Sequence, residues 1–529
     1  MKKIYINGDF ITLEDKTCES ILIEDDKISK VGLKEEILKN KDSETEIIDL
    51  KGKTMMPSFI DGHSHFFGVA NSFLQISLEE CANIKEIQNK LKEYKEKNKF
   101  PKDKWVIANN YDQNILEEKK NITREQIDEI IKDNPVAINH KSGHSGVFNT
   151  KALEILNITE KTEAPFGGII EVKNGNLTGL LEENAYIEII KKVPMPSLDE
   201  LIGSCKKAQE KYLSYGITTV QEGMFVKELI PIYQKLISNN ILKADLITYI
   251  DLKAQEEIKK AFPRNLKKYY KNMKIAGYKI FLDGSPQLRT AWMKTPYKIL
   301  NEDDNEYFGF NTMSDEEVKE AVEQAHKENM QILAHCNGDK AAEQYINAIK
   351  NQNMESERPV MIHAQLLNID QLEEIKKYNI IPSFFVAHTY YWGDTHIKNF
   401  GIERASKISP LKSALNKKII FTLHQDSPVI EPNMFETIWC AVNRKTKSSI
   451  TLGEDEQIPV LDAIKAVTIY GAYQYFEEDI KGSIKEGKLA NLIIVDKNPL
   501  KIPKEDIKNI KILETIKEGK ILFKSDLKT

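Results

Sequence analysis

Pro57-Ser58-Phe59-Ile60-Asp61-Gly62-His63-Ser64-His65 sets the reading of the whole chain. An apolar run ends in two histidines with one residue between them. On a strand, side chains two residues apart share a face, so His63 and His65 point to the same side. Two imidazoles at the end of a buried strand suit a divalent metal such as zinc, and a metal there makes water a nucleophile at neutral pH. Alone, an H-x-H pair reads equally well as two satisfied or surface histidines. The rest of the chain has to supply more ligands.

It does so in four later stretches, each reading as a short buried strand that ends in a residue a metal can use. Residues 277–285 offer Lys279, 330–335 offer His335, 359–363 offer His363, and 419–427 offer Asp426 with His424 two residues before it. Helix-like polar stretches lie between them. In 314–328, for instance, Val318, Ala321, Val322 and Ala325 fall at helical spacing. Strands alternating with helices predict a parallel sheet covered by helices. If the sheet closes into a (β/α)8 barrel, every C-terminal strand end faces one mouth, where active sites are built. His63, His65, Lys279, His335, His363 and Asp426 then converge.

The order H-x-H, Lys, His, His, Asp resembles the metal-dependent amidohydrolase superfamily, whose ligands sit on barrel strands one, four, five, six and eight. Gly216-Ile217-Thr218-Thr219-Val220-Gln221-Glu222-Gly223, His335-Cys336-Asn337-Gly338-Asp339, His363-Ala364-Gln365, Asp426-Ser427-Pro428-Val429 and the closing Gly482-Ser483-Ile484-Lys485-Glu486-Gly487-Lys488-Leu489-Ala490-Asn491-Leu492 resemble its amidohydrolase-3 branch. That branch includes N-substituted formamide deformylases. Asn491 stands where the family usually carries aspartate, far from the ligands.

The resemblance implies a hydrolase that cuts an amide-type C–N bond, non-peptide or N-substituted, with metal-activated water. One or two divalent ions are implied, zinc first, with iron, manganese or cobalt as alternatives. The metal ligands would be His63, His65, Lys279, His335, His363 and Asp426. Asp426 would be the catalytic base, against the plainer reading of a turn-capping aspartate. A protonated lysine has no lone pair for a metal, so Lys279 would bind as its carbamate, a carboxylated lysine; otherwise it stays an amine paired with Asp283 or a substrate anion. His144, His388 and Arg289 would contact substrate. Arg444 is offered as a carboxylate clamp or a structural ion pair, and His424 as a second residue facing the mouth. His140, His326 and His396 read as structural or surface residues. Two other readings share these residues: a non-catalytic metal-binding barrel acting as a sensor or regulator, and a hydrolase of cyclic amides, imine-like carbons or esters.

At 529 residues the chain exceeds one ordinary core. A net charge of −5 gives no sign of a nucleic-acid or membrane partner; the resemblance implies a small-molecule substrate. No apolar stretch approaches the ~20 residues that span a bilayer, and residues 1–8 lack the apolar run of a signal peptide. Five scattered cysteines form no C-x-x-C pair and no disulfide framework, so a cytoplasmic location is expected. A homodimer is common at this size. Residues 1–55 and 476–529 read as short strands and turns; the resemblance implies that they fold together into a β-sandwich built from both termini, flanking a barrel over 56–475. The second barrel strand is expected at 218–221, about 150 residues after the first. That connection is far longer than usual and implies an inserted subdomain at about 70–205.

Overall fold

The computed structural model describes residues 2–15, 17–98, 101, 104–113, 115–140, 144–194, 196–298 and 306–526. Its central element is a parallel eight-stranded sheet: β1 (Phe59–Ile60), β2 (Ile217–Phe225), β3 (Asp245–Asp251), β4 (Met273–Phe281), β5 (Gln331–Cys336), β6 (Val360–His363), β7 (Ile381–Phe384) and β8 (Thr422–Leu423). Each strand pairs with the next in chain order. At the mouth, His65 N–H donates to Ser427 O (2.8 Å) and Asp426 N–H to His63 O (3.3 Å). These bonds join the segment after β8 to the segment after β1 and curl the sheet into a TIM-like barrel.

The strands form where β-branched and apolar residues are concentrated, and nearly all of their residues are buried, as expected of a sheet covered on both faces. Gly277 in β4 is required by that closeness: a Cβ there would lie 1.9 Å from Gln331 O on β5. The outer helices follow their caps. The helix Asp315–Lys327 starts at Ser314, whose side chain accepts from Glu317 N–H while Glu317 bonds back, and it buries Val318, Ala321, Val322 and Ala325.

Two sheets come from the chain ends. One orders Lys27–Gly32, Ser20–Glu24, Lys2–Ile6 and Thr45–Asp49; the other orders Asp9–Phe10, Thr54–Pro57, Leu492–Val495, Ile512–Lys517 and Lys520–Lys524. Tyr5, Ile21 and Ile23 from the first share one apolar cluster with Leu492, Ile494 and Ile516 from the second.

The chain divides into two compact units, 1–67 with 208–529, and 68–207. The latter carries its own six-stranded mixed sheet, ordered Gly168–Lys173, Asn176–Glu183, Ser145–Phe148, Val136–His140, Val106–Tyr111 and Gln75–Ser77. The helix Ile84–Lys97 packs Ile87 and Leu91 into a core with Val106, Ile127 and Ile138. Among the described residues no helix is long and apolar enough to cross a membrane.

Candidate metal centre

His63 is buried, and its Nδ1 lies 2.5 Å from Gln221 Oε1 on β2. Gln221 is fixed in turn, because its Nε2 donates to Gly62 O (3.0 Å) and to the Tyr475 hydroxyl (2.8 Å). With the amide nitrogen so engaged, Oε1 is the acceptor, so His63 carries its proton on Nδ1 and keeps the Nε2 lone pair. Burial, reinforced by Lys279, His65 and His424, holds His63 well below the usual imidazole range. Gly223 gives the ring its room: a Cβ there would lie 2.5 Å from His63 Cε1.

His63 Nε2 lies 3.5 Å from Asp426 Oδ1, and His65 Nε2 lies 3.3 Å from the same oxygen. One ligand atom from each of His63, His65 and Asp426 falls within 4.8 Å of the others. Asp426 Oδ1 is sealed and accepts no hydrogen bond from the described residues. A buried carboxylate oxygen with no donor, flanked by imidazole nitrogens, fits a divalent cation. Burial pushes the Asp426 carboxyl up, but the adjacent His65, with His424 and Lys279, brings it below its ordinary value. His65 also lies 3.9 Å from Glu222 Oε1 through Nδ1. Burial lowers its pKa, yet Asp426 and Glu222 together hold it up at about 9. These two carboxylates call for positive charge between them.

The later strands complete the cluster. His335 on β5 sets Nδ1 3.2 Å from Asp283 Oδ1, and Asp283 also accepts backbone N–H bonds from Trp292 (3.1 Å), Asn337 (3.0 Å) and Gly338 (2.7 Å). His363 on β6 places Nδ1 3.2 Å from His424 Nε2 and Nε2 3.9 Å from Asp426 Oδ2; His424 Nδ1 meets Ser383 Oγ at 2.8 Å. The His363 ring centroid is 4.6 Å from that of His335 and 5.8 Å from that of His63. His363 (φ +74°) and Asp426 (φ +55°) both have left-handed backbone. For non-glycine residues that costs about 1–3 kcal/mol each, and such strain clusters at functional sites. Lys279 on β4 is buried with Nζ 3.4 Å from His63 Nε2. No carboxylate of the described residues lies within ion-pair distance of it. Burial brings its pKa down to about 7, partly opposed by Asp426.

All six residues expected as ligands therefore meet at one end of the sheet. The expected substrate contacts divide. His388 follows β7, buried against Trp392 (centroids 4.5 Å) and Phe385 (4.6 Å). Arg289 lies on the loop after β4 with φ +61°. His144 belongs to the inserted unit, its Nδ1 3.1 Å from Glu183 Oε2 with both side chains exposed; Ser142 and Gly143 of the same motif lie outside the described residues.

Two expectations change. Arg444 is neither a carboxylate clamp nor an ion pair, because its fully buried guanidinium donates to the carbonyls of Leu452 (2.7 Å), Ser409 (3.0 Å), Ser406 (3.4 Å) and Ile408 (2.6 Å). Asp283 pairs with His335 rather than Lys279. His396, read as structural or surface, takes the structural alternative: it is fully buried and bonded to His388. Gln221, Glu222 and Asp283 carry orienting roles that the sequence reading did not assign. Gln221 and Glu222 follow an apolar run as the ligands do, and that was the available signal.

The amidohydrolase family profile matches residues 46–523. Over 99% of both chains, the sequence is 28% identical to the Bacillus subtilis (strain 168) protein named amidohydrolase YtcJ. It is 23% identical to the N-substituted formamide deformylase of Arthrobacter pascens, covering 98% of this chain and 97% of that protein. Among solved structures, an uncharacterized metal-dependent hydrolase from Pyrococcus horikoshii OT3 superposes with a TM-score of 0.76 at 25% identity, covering 95% of this chain and 99% of that one.

Proposed function

The chain belongs to the amidohydrolase family, and on that premise we propose that this metal-dependent hydrolase cleaves the C–N bond of a non-peptide, N-substituted amide. The observation that carries the reading is the convergence of His63, His65 and Asp426 ligand atoms within 4.8 Å around an oxygen to which no described residue donates a hydrogen bond. The formamide deformylase likeness over nearly the whole chain supports the substrate class.

His63, His65, Lys279, His335, His363 and Asp426 would hold one or two divalent ions, zinc first. Such an ion supplies Lewis acidity to the scissile carbonyl and lowers the pKa of a water from 15.7 toward ~7. Asp426, ionised at neutral pH, takes a proton from the attacking water and delivers it to the leaving amine, so that a C–O bond forms as the C–N bond breaks. His335 and His363 keep their Nε2 lone pairs because Asp283 and His424 accept from Nδ1. Lys279, brought to about 7 by burial and in an ion pair with no carboxylate of the described residues, would offer the neutral amine that adds to carbon dioxide: an N–C bond would form as one C=O π bond opens and a proton leaves, and the carbamate would supply an anionic oxygen ligand.

We read the two terminal sheets as a β-sandwich beside the barrel, and the five unbridged cysteines as fitting a reducing, cytoplasmic setting. A small molecule is the partner, with a homodimer as the expected assembly. The test is release of 4-nitroaniline from 4-nitroformanilide by zinc-loaded protein. Turnover that disappears with chelator and returns with zinc supports the reading, and hydrolysis of esters but of no formamide or other N-substituted amide overturns its bond class.

A further inference from the structure

His396 takes no part in the chemistry above, yet it is one of the most fully buried polar residues of the chain. Its Nε2 lies 3.2 Å from Nδ1 of His388, and the two rings are parallel to within 4°. Its own Nδ1 is sealed from solvent and has no hydrogen-bond partner among the described residues.

One proton sits between the two nitrogens, and it has two sources. If His388 Nδ1–H donates, His396 must accept at Nε2 and carry its proton on Nδ1, as a buried N–H with no acceptor. If His396 Nε2–H donates, its Nδ1 is only a bare lone pair. Orphaned buried N–H groups are rarer and more costly than under-used acceptors, so the second arrangement holds. Neither ring takes a second proton near neutral pH. Burial pushes His396 down to about 3, and burial together with His396, His424 and His335 pushes His388 well below the usual range.

We propose that His396 is a positioning residue whose Nε2–H fixes His388 as the Nε2–H tautomer, so that His388 presents a neutral hydrogen-bond donor to the acyl oxygen of the substrate. The target of the donor rests on the hydrolase reading; the pairing of the two histidines does not. His388 Nε2 is the free edge of its ring: it bonds to none of the described residues and, unlike His396 Nδ1, is not sealed. Trp392 and Phe385 hold the ring by its faces and edge. Phe385 in turn packs against His424 (5.3 Å) and His363 (6.0 Å), which puts the donor beside the ligand-bearing strand ends. A donor already aimed where negative charge develops needs no reorganisation during the reaction. Because His388 stays neutral, it brings no cation to compete with a metal.

The test uses the full chain with 15N-labelled histidine and long-range 1H–15N correlation, the His388 signals being assigned by their loss in H388Q. The expected wild-type pattern is protonated Nε2 and unprotonated Nδ1 at His388. H396L should give mixed tautomers, and H396Q, whose amide still donates, should restore the wild-type pattern. With 4-nitroformanilide, H396L should lower kcat about 10-fold or more with KM within about twofold, again rescued by H396Q. An Nδ1–H His388 in the wild type overturns the proposal whatever the activity, and so does an H396L protein with an unchanged tautomer. A wild-type Nε2–H pattern without turnover of any N-substituted amide supports the pairing and counts against the hydrolase reading.

Discussion

His335 Nδ1 and Asp283 Oδ1 lie 3.2 Å apart, and the same carboxylate accepts the backbone N–H groups of Trp292, Asn337 and Gly338. Asp283 therefore fixes both the ring orientation of His335, a proposed ligand on β5, and the course of the turn after it. An anionic acceptor on the far nitrogen also raises the basicity of the ligating one. D283N should weaken metal binding about 10- to 100-fold, measured by competition with a chromophoric chelator. It should also lower the melting temperature of metal-free protein, since an amide oxygen accepts N–H bonds more weakly than a carboxylate. Unchanged affinity would mean that Asp283 serves the turn alone.

Gly223 allows a sharper test of the site without touching a ligand. Its missing Cβ is what leaves space for the His63 ring, 2.5 Å away. G223A should displace His63 and cut zinc content to less than half that of wild type by elemental analysis, while the far-ultraviolet circular dichroism stays the same. Full zinc content in G223A would show that the ring relaxes at no cost.

Asp426 is assigned both metal contact and proton transfer. D426N keeps an oxygen near His63 and His65 but cannot take the proton. It should lower kcat for 4-nitroformanilide by about 10²- to 10⁴-fold while much of the zinc is retained. Retained turnover would remove Asp426 as the base.

A buried charge network at the opposite, N-terminal end of the strands predicts the pH dependence of stability. Lys481 Nζ lies 2.8 Å from Asp245 Oδ2 and 2.6 Å from Glu477 Oε2, and Lys517 Nζ lies 3.0 Å from Asp245 Oδ1. Burial raises the Asp245 carboxyl, but Lys481 and Lys517 bring it below its ordinary value. Its contribution is therefore full above the unfolded pKa near ~3.9 and is lost as pH falls through the folded one. Burial lowers Lys481, but Asp245 and Glu477 raise it above its ordinary value. Its contribution is full below ~10.4 and is lost as pH rises through the folded pKa. K481M leaves two buried carboxylates short of a partner and should destabilise by about 3–5 kcal/mol at pH 7 in urea unfolding. The difference from wild type should shrink between about pH 5 and pH 2. A pH-independent difference would contradict the network as the cause.

The barrel and the meeting of the six residues proposed as ligands were legible because each stands at or near the end of an apolar run, and a parallel strand writes that run locally. Lys279, His335 and His363 stand at or near the ends of β4, β5 and β6 for this reason. What orients them was not legible. The bonds from His63 to Gln221, His335 to Asp283 and His363 to His424 join residues 158, 52 and 61 positions apart, and no local periodicity encodes which ring nitrogen faces which partner. Arg444 was misread for the same reason: its acceptors are carbonyls exposed by the loop at 406–409 and at Leu452, and no side-chain pattern announces them.

The most direct test of the metal centre is zinc per chain by elemental analysis, on protein purified without chelator and then incubated with zinc, with native intact mass taken alongside. One or two equivalents per chain is the result predicted here, two being accompanied by a mass increase of one carbamate that is absent in K279A. No bound metal after incubation with zinc or manganese would contradict the account at its centre.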